Sequence, residues 1–445
     1  MGNMGKQIVI IGAGLAGTTA ARELSQRGQP VTLIDPEAGD TYERPPLSKH
    51  LFDDSRYHLP YHLEDSELIT FVRDRAVSIT LAEAAPESQP EALFQPGSER
   101  LAGTVHLGSG ETLDFTHCIL ATGMEANRPE IPGYPDALPV YNLGEAEWIR
   151  DFVAEATAPL NVGVLGSGYL GMEVATAAVA AGHEATVYLR GDEPLRRQLS
   201  APVRRALFEK HKAAGVRFVT DHTDNADIPA GEHTLFVTSV GARPVRIPID
   251  GALPTTDEHS ADPEGPAPGE VPTFAWDVDE HLATAYPGVW AAGDCAHITG
   301  GRFAIDHPWA CEPVAESHGK YLAEHILGED DDLTPGADGP TPSKPAPWSD
   351  VPWHWSFQGP EKVFTAGLTS PDAQDTVQRS DPSGTKFQVF HFAGPEPEAA
   401  LIGVETLNWP PMQAAARRVL GADRPMPTRA QLEDPEFDFK AHSRL

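Results

Sequence analysis

Residues 7–11, Gln-Ile-Val-Ile-Ile, form an almost unbroken apolar run, the pattern of a parallel strand buried on both faces. The run passes straight into Gly12-Ala13-Gly14-Leu15-Ala16-Gly17. Apolar positions then recur at helical spacing through Leu24, and a second apolar strand, Val31–Ile34, follows. The same order returns near Asn161: an apolar strand over 162–165, the loop Gly166-Ser167-Gly168-Tyr169-Leu170-Gly171, a helical stretch carrying Glu173, and a strand over 185–189. Further strands are predicted over 112–121, ending in Ala121-Thr122-Gly123, and over 234–240, ending at Gly241. Toward the C-terminus, residues 363–368, 387–392 and 401–406 read as strands and 412–420 as a helix. The Pro- and Gly-rich stretches 262–269 and 328–347 read as loops or linkers, and Glu329-Asp330-Asp331-Asp332 as solvated linker.

A repeated strand–glycine loop–helix–strand unit predicts an α/β fold with two Rossmann-like nucleotide-binding domains, the first interrupted by the second, and a small α+β C-terminal domain. The expected boundaries are 1–128 and 249–330 for the first domain, 129–248 for the second, 331–347 for a linker and 348–445 for the last.

The glycines of such a loop serve a tight turn, close approach of backbone to pyrophosphate, and close helix–strand packing. The helix that follows offers free N–H groups and the positive end of its dipole to phosphate. Asp35, 23 residues after Gly12 at the end of the second strand, stands where an acid holds ribose hydroxyls. In the second block the same count from Gly166 lands on Leu189, with Arg190 next and Arg196 shortly after. An acid there favours NAD, whereas arginine accommodates the 2′-phosphate of NADP, so NADPH is expected and NADH is the weaker alternative.

Composition narrows the function classes. The chain has 445 residues, 40% hydrophobic and 22% charged, enough for two or three globular domains. No run of eighteen apolar residues is present, so no membrane span is expected. The first strand begins too early to leave room for a signal peptide, and Lys6 stands where N-myristoylation requires Ser or Thr, so a cytoplasmic location is expected. A net charge of −32, from 65 acidic and 33 basic residues, repels nucleic acid. Cys118, Cys295 and Cys311 form no C-x-x-C or C-x4-C pair, which argues against a disulfide framework, a zinc site or a redox dithiol; no metal site is expected.

Arg44-Pro45-Pro46-Leu47-Ser48-Lys49 is followed in order by Ala121-Thr122-Gly123, the second glycine loop, Gly241-Ala242-Arg243-Pro244, Gly293-Asp294-Cys295 and Pro352-Trp353-His354-Trp355-Ser356. Together these strings resemble, over nearly the whole chain, the FAD-dependent ferredoxin reductases of the putidaredoxin reductase and aromatic dioxygenase type. The resemblance implies that the first site (Gly12, Gly14, Leu15, Ala16, Gly17, Asp35) holds FAD. Arg44 would pair with pyrophosphate, Lys49 would sit beside the flavin ring paired with Glu173, and Asp294 would accept from the ribityl chain. Val77, Ala121, Thr122, Gly123 and Arg128 would complete the FAD contacts. The second site would hold the coenzyme through Gly166, Gly168, Tyr169, Leu170, Gly171, Glu173, Arg190, Arg196 and Gly241. The stretch 190–196 also resembles the NADPH-binding segment of glutathione reductases. Hydride would pass to flavin N5, and the two electrons it brings would leave one at a time to a ferredoxin-like carrier of an oxygenase system, the proton being released to solvent.

Two positions depart from that pattern: Phe357 stands where the family has Asp, and Glu312 where many relatives have Trp, with Trp309 one turn earlier. Trp353 and Trp355 either cover a flavin edge or fill a domain interface. Arg196, Arg197, Arg204, Arg205, Lys210, Lys212 and the pair Arg417-Arg418 offer either a local docking surface for an acidic carrier or solvated helix faces. Two further functional readings stay open. One is an NAD(P)H oxidase, quinone or rubredoxin reductase; the other is a redox-responsive flavin-binding protein of the apoptosis-inducing-factor type. Monomer and homodimer are both compatible with the sequence.

Overall fold

A computed structural model describes residues 6–37, 41–53, 63, 66–82, 101–250, 275–328, 346–421 and 426–444. The stretch 262–269 and the acidic run 329–332 lie outside the described residues, as do residues 331–345 of the expected linker. The chain divides into two compact units, one of residues 1–43, 60–125 and 243–350, the other of 44–59, 126–242 and 351–445.

In the first unit the apolar runs become a five-stranded sheet in the order Val289–Ala291, His117–Leu120, Ile8–Ile11, Val31–Ile34, Ile69–Val72. All neighbours in it are parallel. Every residue of Ile8–Ile11 is buried, which explains why that strand reads as continuous rather than alternating. The helices Leu15–Gln26 and Glu312–Gly328 pack together so tightly that a Cβ on Gly319 would lie 2.5 Å from the carbonyl oxygen of Ala16. The expected strand over 112–121 is two strands. Thr112–Phe115 joins a separate antiparallel sheet with Ala76–Leu81 and Gly103–Leu107, and His117–Leu120 enters the parallel sheet. The break falls at Thr116, whose N–H donates to Gln7 O at 2.9 Å and so turns the chain from one sheet to the other.

The second unit repeats the parallel design in the order Arg217–Val219, Glu184–Tyr188, Asn161–Leu165, Leu235–Thr238, Leu138–Pro139. It also contains an antiparallel sheet ordered Trp353–Gln358, Glu361–Gly367, Leu401–Leu407, Phe387–Phe392, Thr376–Ser380. The helix Pro410–Gly421 lies against that sheet, burying Ala415, Ala416, Val419 and Leu420 with Phe390 and Val404 in a core of its own. In both parallel sheets the glycine loop leaves the strand at which the order reverses, the position where open α/β sheets bind ligands. Among the described residues no helix is long and apolar enough to cross a membrane.

Candidate functional site

The first glycine loop separates glycines required by the fold from one that is not. Gly12 has φ +108°, and a Cβ there would lie 2.6 Å from the carbonyl carbon of Ala121. A Cβ on Gly17 would overlap the carbonyl of Gly12. Around Gly14, by contrast, no atom of the described residues lies within 4 Å of an added Cβ. Gly14 is the N-cap of the Leu15–Gln26 helix, with no side chain capping it. The described residues therefore leave open the space over the free N–H groups of this helix, which is what a pyrophosphate cradle needs. Asp35 closes the loop from the neighbouring strand, accepting from Ala13 N at 2.7 Å and Glu37 N at 2.8 Å. A carboxylate offers about four lone-pair sites, so capacity remains for ribose hydroxyls.

Ala121 is buried, Thr122 donates to Val245 O at 2.5 Å, and Gly123 has φ +63°. Asp294 sits on the turn Gly293–Cys295, which packs onto the first loop's helix: a Cβ on Gly293 would be 3.0 Å from the Cβ of Ala16. The turn is held from behind by His318, whose Nδ1 accepts from Gly293 N at 3.2 Å. His318 is fully buried, edge-on to Trp348, and its Nε2 has no partner among the described residues. Burial pushes its imidazole down from near 6.5 to about 3. Unfolding restores the ordinary value, so the unfolded chain binds the extra proton first as pH falls. Stability of this unit is expected to be full above about pH 6.5 and to decline progressively toward about pH 3. Denaturant titrations against pH should show a shallower decline in His318→Asn.

Val77 is 42% exposed on the Ala76–Leu81 strand, beside a register shift. Trp309 donates through Nε1 to Phe303 O at 2.9 Å, and Glu312 opens the Glu312–Gly328 helix.

In the second unit the corresponding loop repeats the logic. Gly166 has φ +105° with Ser239 O 2.5 Å from a Cβ, and Gly171 backs onto the Gly166 carbonyl. A Cβ on Gly168 would meet only the side chain of Gln198, at 3.4 Å. Gly241 has φ +95°, with its carbonyl accepting from Asn127 N at 3.0 Å. The segment after Leu189 is pinned to this loop. Leu195, buried and in the left-handed region at φ +61°, donates its N–H to Ser167 O at 2.9 Å. A non-glycine residue there costs roughly 1–2 kcal/mol, which its burial offsets. Arg190 and Arg197 are exposed; Arg196 is exposed and paired with Asp192 at 2.9 Å.

Lys49 and Glu173, predicted as partners, meet at 3.0 Å. Lys49 ends the short helix Pro46–Lys49, whose Pro at the first turn fixes the entry angle, and Glu173 lies on the buried side of the helix Tyr169–Ala180. The sequence did not indicate the rest of the cluster. Glu173 Oε2 also accepts from Ser48 Oγ at 2.5 Å, and its Oε1 accepts from Ser356 Oγ at 2.7 Å. Ser356 in turn accepts from Gln358 Nε2 at 3.2 Å, and Gln358 Oε1 lies 2.7 Å from His211 Nε2. Glu173, Ser48, Ser356, Gln358 and His211 are all buried. Period-two alternation along Trp353–Gln358 aims His354, Ser356 and Gln358 to one face. His354 reaches the hydroxyl of Tyr169, in the glycine loop, at 3.0 Å. Burial, followed by the nearby Glu405 and Glu173 carboxylates, holds the Tyr169 phenol well above its usual range. A second buried carboxylate, Glu405, accepts from Ser200 N at 2.8 Å and from Ser200 Oγ, and lies 3.2 Å from His391 Nε2.

Other sequence candidates have protein partners. Arg44 lies over the ring of Tyr141, 5.0 Å from its centroid, and donates to Tyr141 O. Arg128 pairs with Glu145. Trp353 packs against the C-terminal core with Arg417 3.8 Å above its ring, and 5.3 Å separates it from Trp355. Phe357 is 37% exposed. The proposed basic surface is largely offset within the unit: Arg196 pairs with Asp192, Arg204 and Arg205 with Glu193, Lys210 with Glu361 and Lys212 with Glu209.

Comparison with known proteins agrees with this arrangement. The profile of the pyridine nucleotide-disulphide oxidoreductases matches residues 6–317, and that of the reductase C-terminal domain matches 353–443. Rhodocoxin reductase of Rhodococcus erythropolis is 29% identical over 97% of this chain and 93% of its own. The ferredoxin--NAD(+) reductase component of the anthranilate 1,2-dioxygenase system of Burkholderia cepacia is 29% identical over 97% and 98%. The fold is that of the ferredoxin reductase for the CYP199A2 system of Rhodopseudomonas palustris, with a TM-score of 0.76 at 24% identity, covering 99% of this chain and 100% of that one.

Proposed function

The chain belongs to the pyridine nucleotide-disulphide oxidoreductase family, whose members work with FAD and a pyridine nucleotide, and from that premise we propose that it carries electrons from NADPH through FAD to a ferredoxin-type carrier serving an oxygenase. The observation that carries the reading is the pair of glycine loops, each with its middle glycine left clear by the protein backbone, combined with a sequence that has no cysteine between residues 40 and 50. A disulfide reductase needs a thiol relay at the flavin. Here Pro45 and Pro46 occupy that stretch, and Cys118 and Cys295 are buried. Burial pushes both of those thiols up, so neither is a ready thiolate. Relatives matched over nearly their whole length and named as ferredoxin--NAD(+) reductase components support the one-electron acceptor.

A bound flavin supplies the conversion of a two-electron input into single-electron output. Around it, the first loop (Gly12, Gly14, Leu15, Ala16, Gly17) would hold the pyrophosphate and Asp35 the ribose, with Ala121, Thr122, Gly123, Val77, Arg44, Arg128 and Asp294 as further contacts. Lys49 supplies a positive charge, and Glu173 orients it. The second loop (Gly166, Gly168, Tyr169, Leu170, Gly171) with Gly241 would hold NADPH, and Arg190 and Arg196 its 2′-phosphate. Arg196 can turn from Asp192 to the phosphate at small cost because that pair is solvent-exposed.

Purified protein should be yellow and reduce cytochrome c rapidly only when a [2Fe–2S] ferredoxin is added. Peroxide formation that ignores ferredoxin, or tight coenzyme binding with negligible turnover, would overturn the reading. For the coenzyme, Arg190→Ala should lower kcat/KM for NADPH by roughly 10- to 100-fold, the loss of a charge-assisted contact, and leave NADH within about two-fold. An NADH-preferring wild type would sink the NADPH assignment.

A further inference from the structure

We infer that Ser356, on the C-terminal sheet, is a positioning residue for Lys49, acting through the carboxylate of Glu173. The inference rests on the proposed flavin chemistry only for its consequence; the geometry stands within one unit of the molecule.

Glu173 is 5% exposed, so each of its oxygens needs a donor. Oε2 takes two, Ser48 Oγ and Lys49 Nζ. Oε1 takes Ser356 Oγ, the one donor to that atom among the described contacts. Without it, Oε1 can regain a donor from these side chains only if the carboxylate rotates, and rotation breaks the geometry at Oε2 that holds Lys49. Ser356 itself has little freedom to substitute another orientation. It is completely buried, and its oxygen accepts from Gln358 Nε2 while Gln358 is engaged by His211. The hydroxyl proton is therefore directed at Glu173 by the order of donors along the row, from His211 through Gln358 and Ser356 to the carboxylate. The far end of that row lies on the helix Ala201–Ala214, so the lysine is braced from a second helix of the same unit rather than by its own short helix alone.

The test is a double-mutant cycle with a readout that needs no turnover. Lys49 acetylation by a trace of acetic anhydride, quantified by mass spectrometry in the full-length chain with and without FAD, should run roughly five- to ten-fold faster in Ser356→Ala, because the ammonium is less firmly held. Ser356→Thr, which keeps the hydroxyl, should restore the wild-type rate. In a Glu173→Gln background the serine change should add no more than about two-fold. In FAD-loaded protein the rate of flavin reduction by NADPH should fall roughly ten-fold in Ser356→Ala and follow the same cycle. If Ser356→Ala does not fold, Ser356→Cys, of similar volume and a weak donor, carries the same comparison. Labelling rates that coincide between wild type and Ser356→Ala, or an equal effect in the Glu173→Gln background, would overturn the inference. A wild type that takes up no FAD would overturn the flavin reading instead, and leaves the labelling cycle intact as a test of this one.

Discussion

Gly14→Ala is expected to leave the protein folded and remove its flavin, while Gly12→Ala, the same substitution two residues away, is expected to destabilise the first unit itself. At position 14 an added methyl meets no atom of the described residues within 4 Å, and the backbone at φ −69° suits any residue. Stability should therefore stay within about 0.5 kcal/mol of wild type. The methyl would occupy the space over the uncapped helix terminus, and FAD affinity should fall by roughly 100-fold or more. At position 12 the methyl would sit 2.6 Å from the carbonyl carbon of Ala121 at φ +108°. Relieving that overlap separates two central strands, costing roughly 4 kcal/mol, or on the order of 8–16 °C in Tm. Flavin absorbance after gel filtration, with thermal melts of FAD-free protein, separates the two outcomes. A yellow Gly14→Ala protein with wild-type affinity would remove the main argument for the first site.

Replacing Glu173 is expected to have the second-largest effect, and two variants divide it into parts. Glu173→Ala strips the carboxylate from Lys49, Ser48 and Ser356 at once, leaving a mostly buried cation whose one remaining acceptor among the described residues is Pro45 O. Breaking a buried pair from one side costs roughly 3–5 kcal/mol. Glu173→Gln keeps the shape and one acceptor, so most of the stability should survive. Both variants lose the charge that orients the ammonium, and the rate of flavin reduction by NADPH should drop by roughly 100-fold in each. Stopped-flow reduction together with urea unfolding measures both quantities. A Glu173→Gln enzyme reduced at the wild-type rate would show that the pair is only structural.

Much of this architecture is legible in the sequence because buried parallel strands and glycine turns leave local signals. Ile8–Ile11 and Asn161–Leu165 are apolar throughout, and Gly12, Gly17, Gly166 and Gly171 mark places where backbone meets backbone. The pairing of Lys49 with Glu173 followed from a family resemblance and is met in the structure. What the sequence did not yield depends on contacts between residues far apart along the chain. Ser356 lies 183 positions from Glu173, and nothing local distinguishes a buried donor serine from any other. The division of 112–121 into two strands depends on Thr116 bonding to Gln7, 109 residues earlier. The strand Trp353–Gln358 was read for its tryptophans. Its alternating polar face, His354, Ser356 and Gln358, carried the structural information. The basic residues of the Ala201–Ala214 helix are clustered in sequence, but apart from Glu209 for Lys212 the acids that neutralise them come from outside the helix, Glu193 for Arg204 and Arg205 and Glu361 for Lys210.

The C-terminal sheet meets the second nucleotide-binding part through polar contacts rather than through grease alone: His354 with Tyr169, Ser356 with Glu173, Gln358 with His211, and Glu405 with Ser200. Chimaeras are constrained accordingly. Grafting the tail of a relative onto this chain transfers four acceptor–donor obligations along with it, each of which the host must honour from its own side. A tail matched only in hydrophobic shape would strand Glu173 and the start of the Ala201–Ala214 helix without their counterparts. Recombination between such reductases is thus tolerated where both faces of this seam travel together.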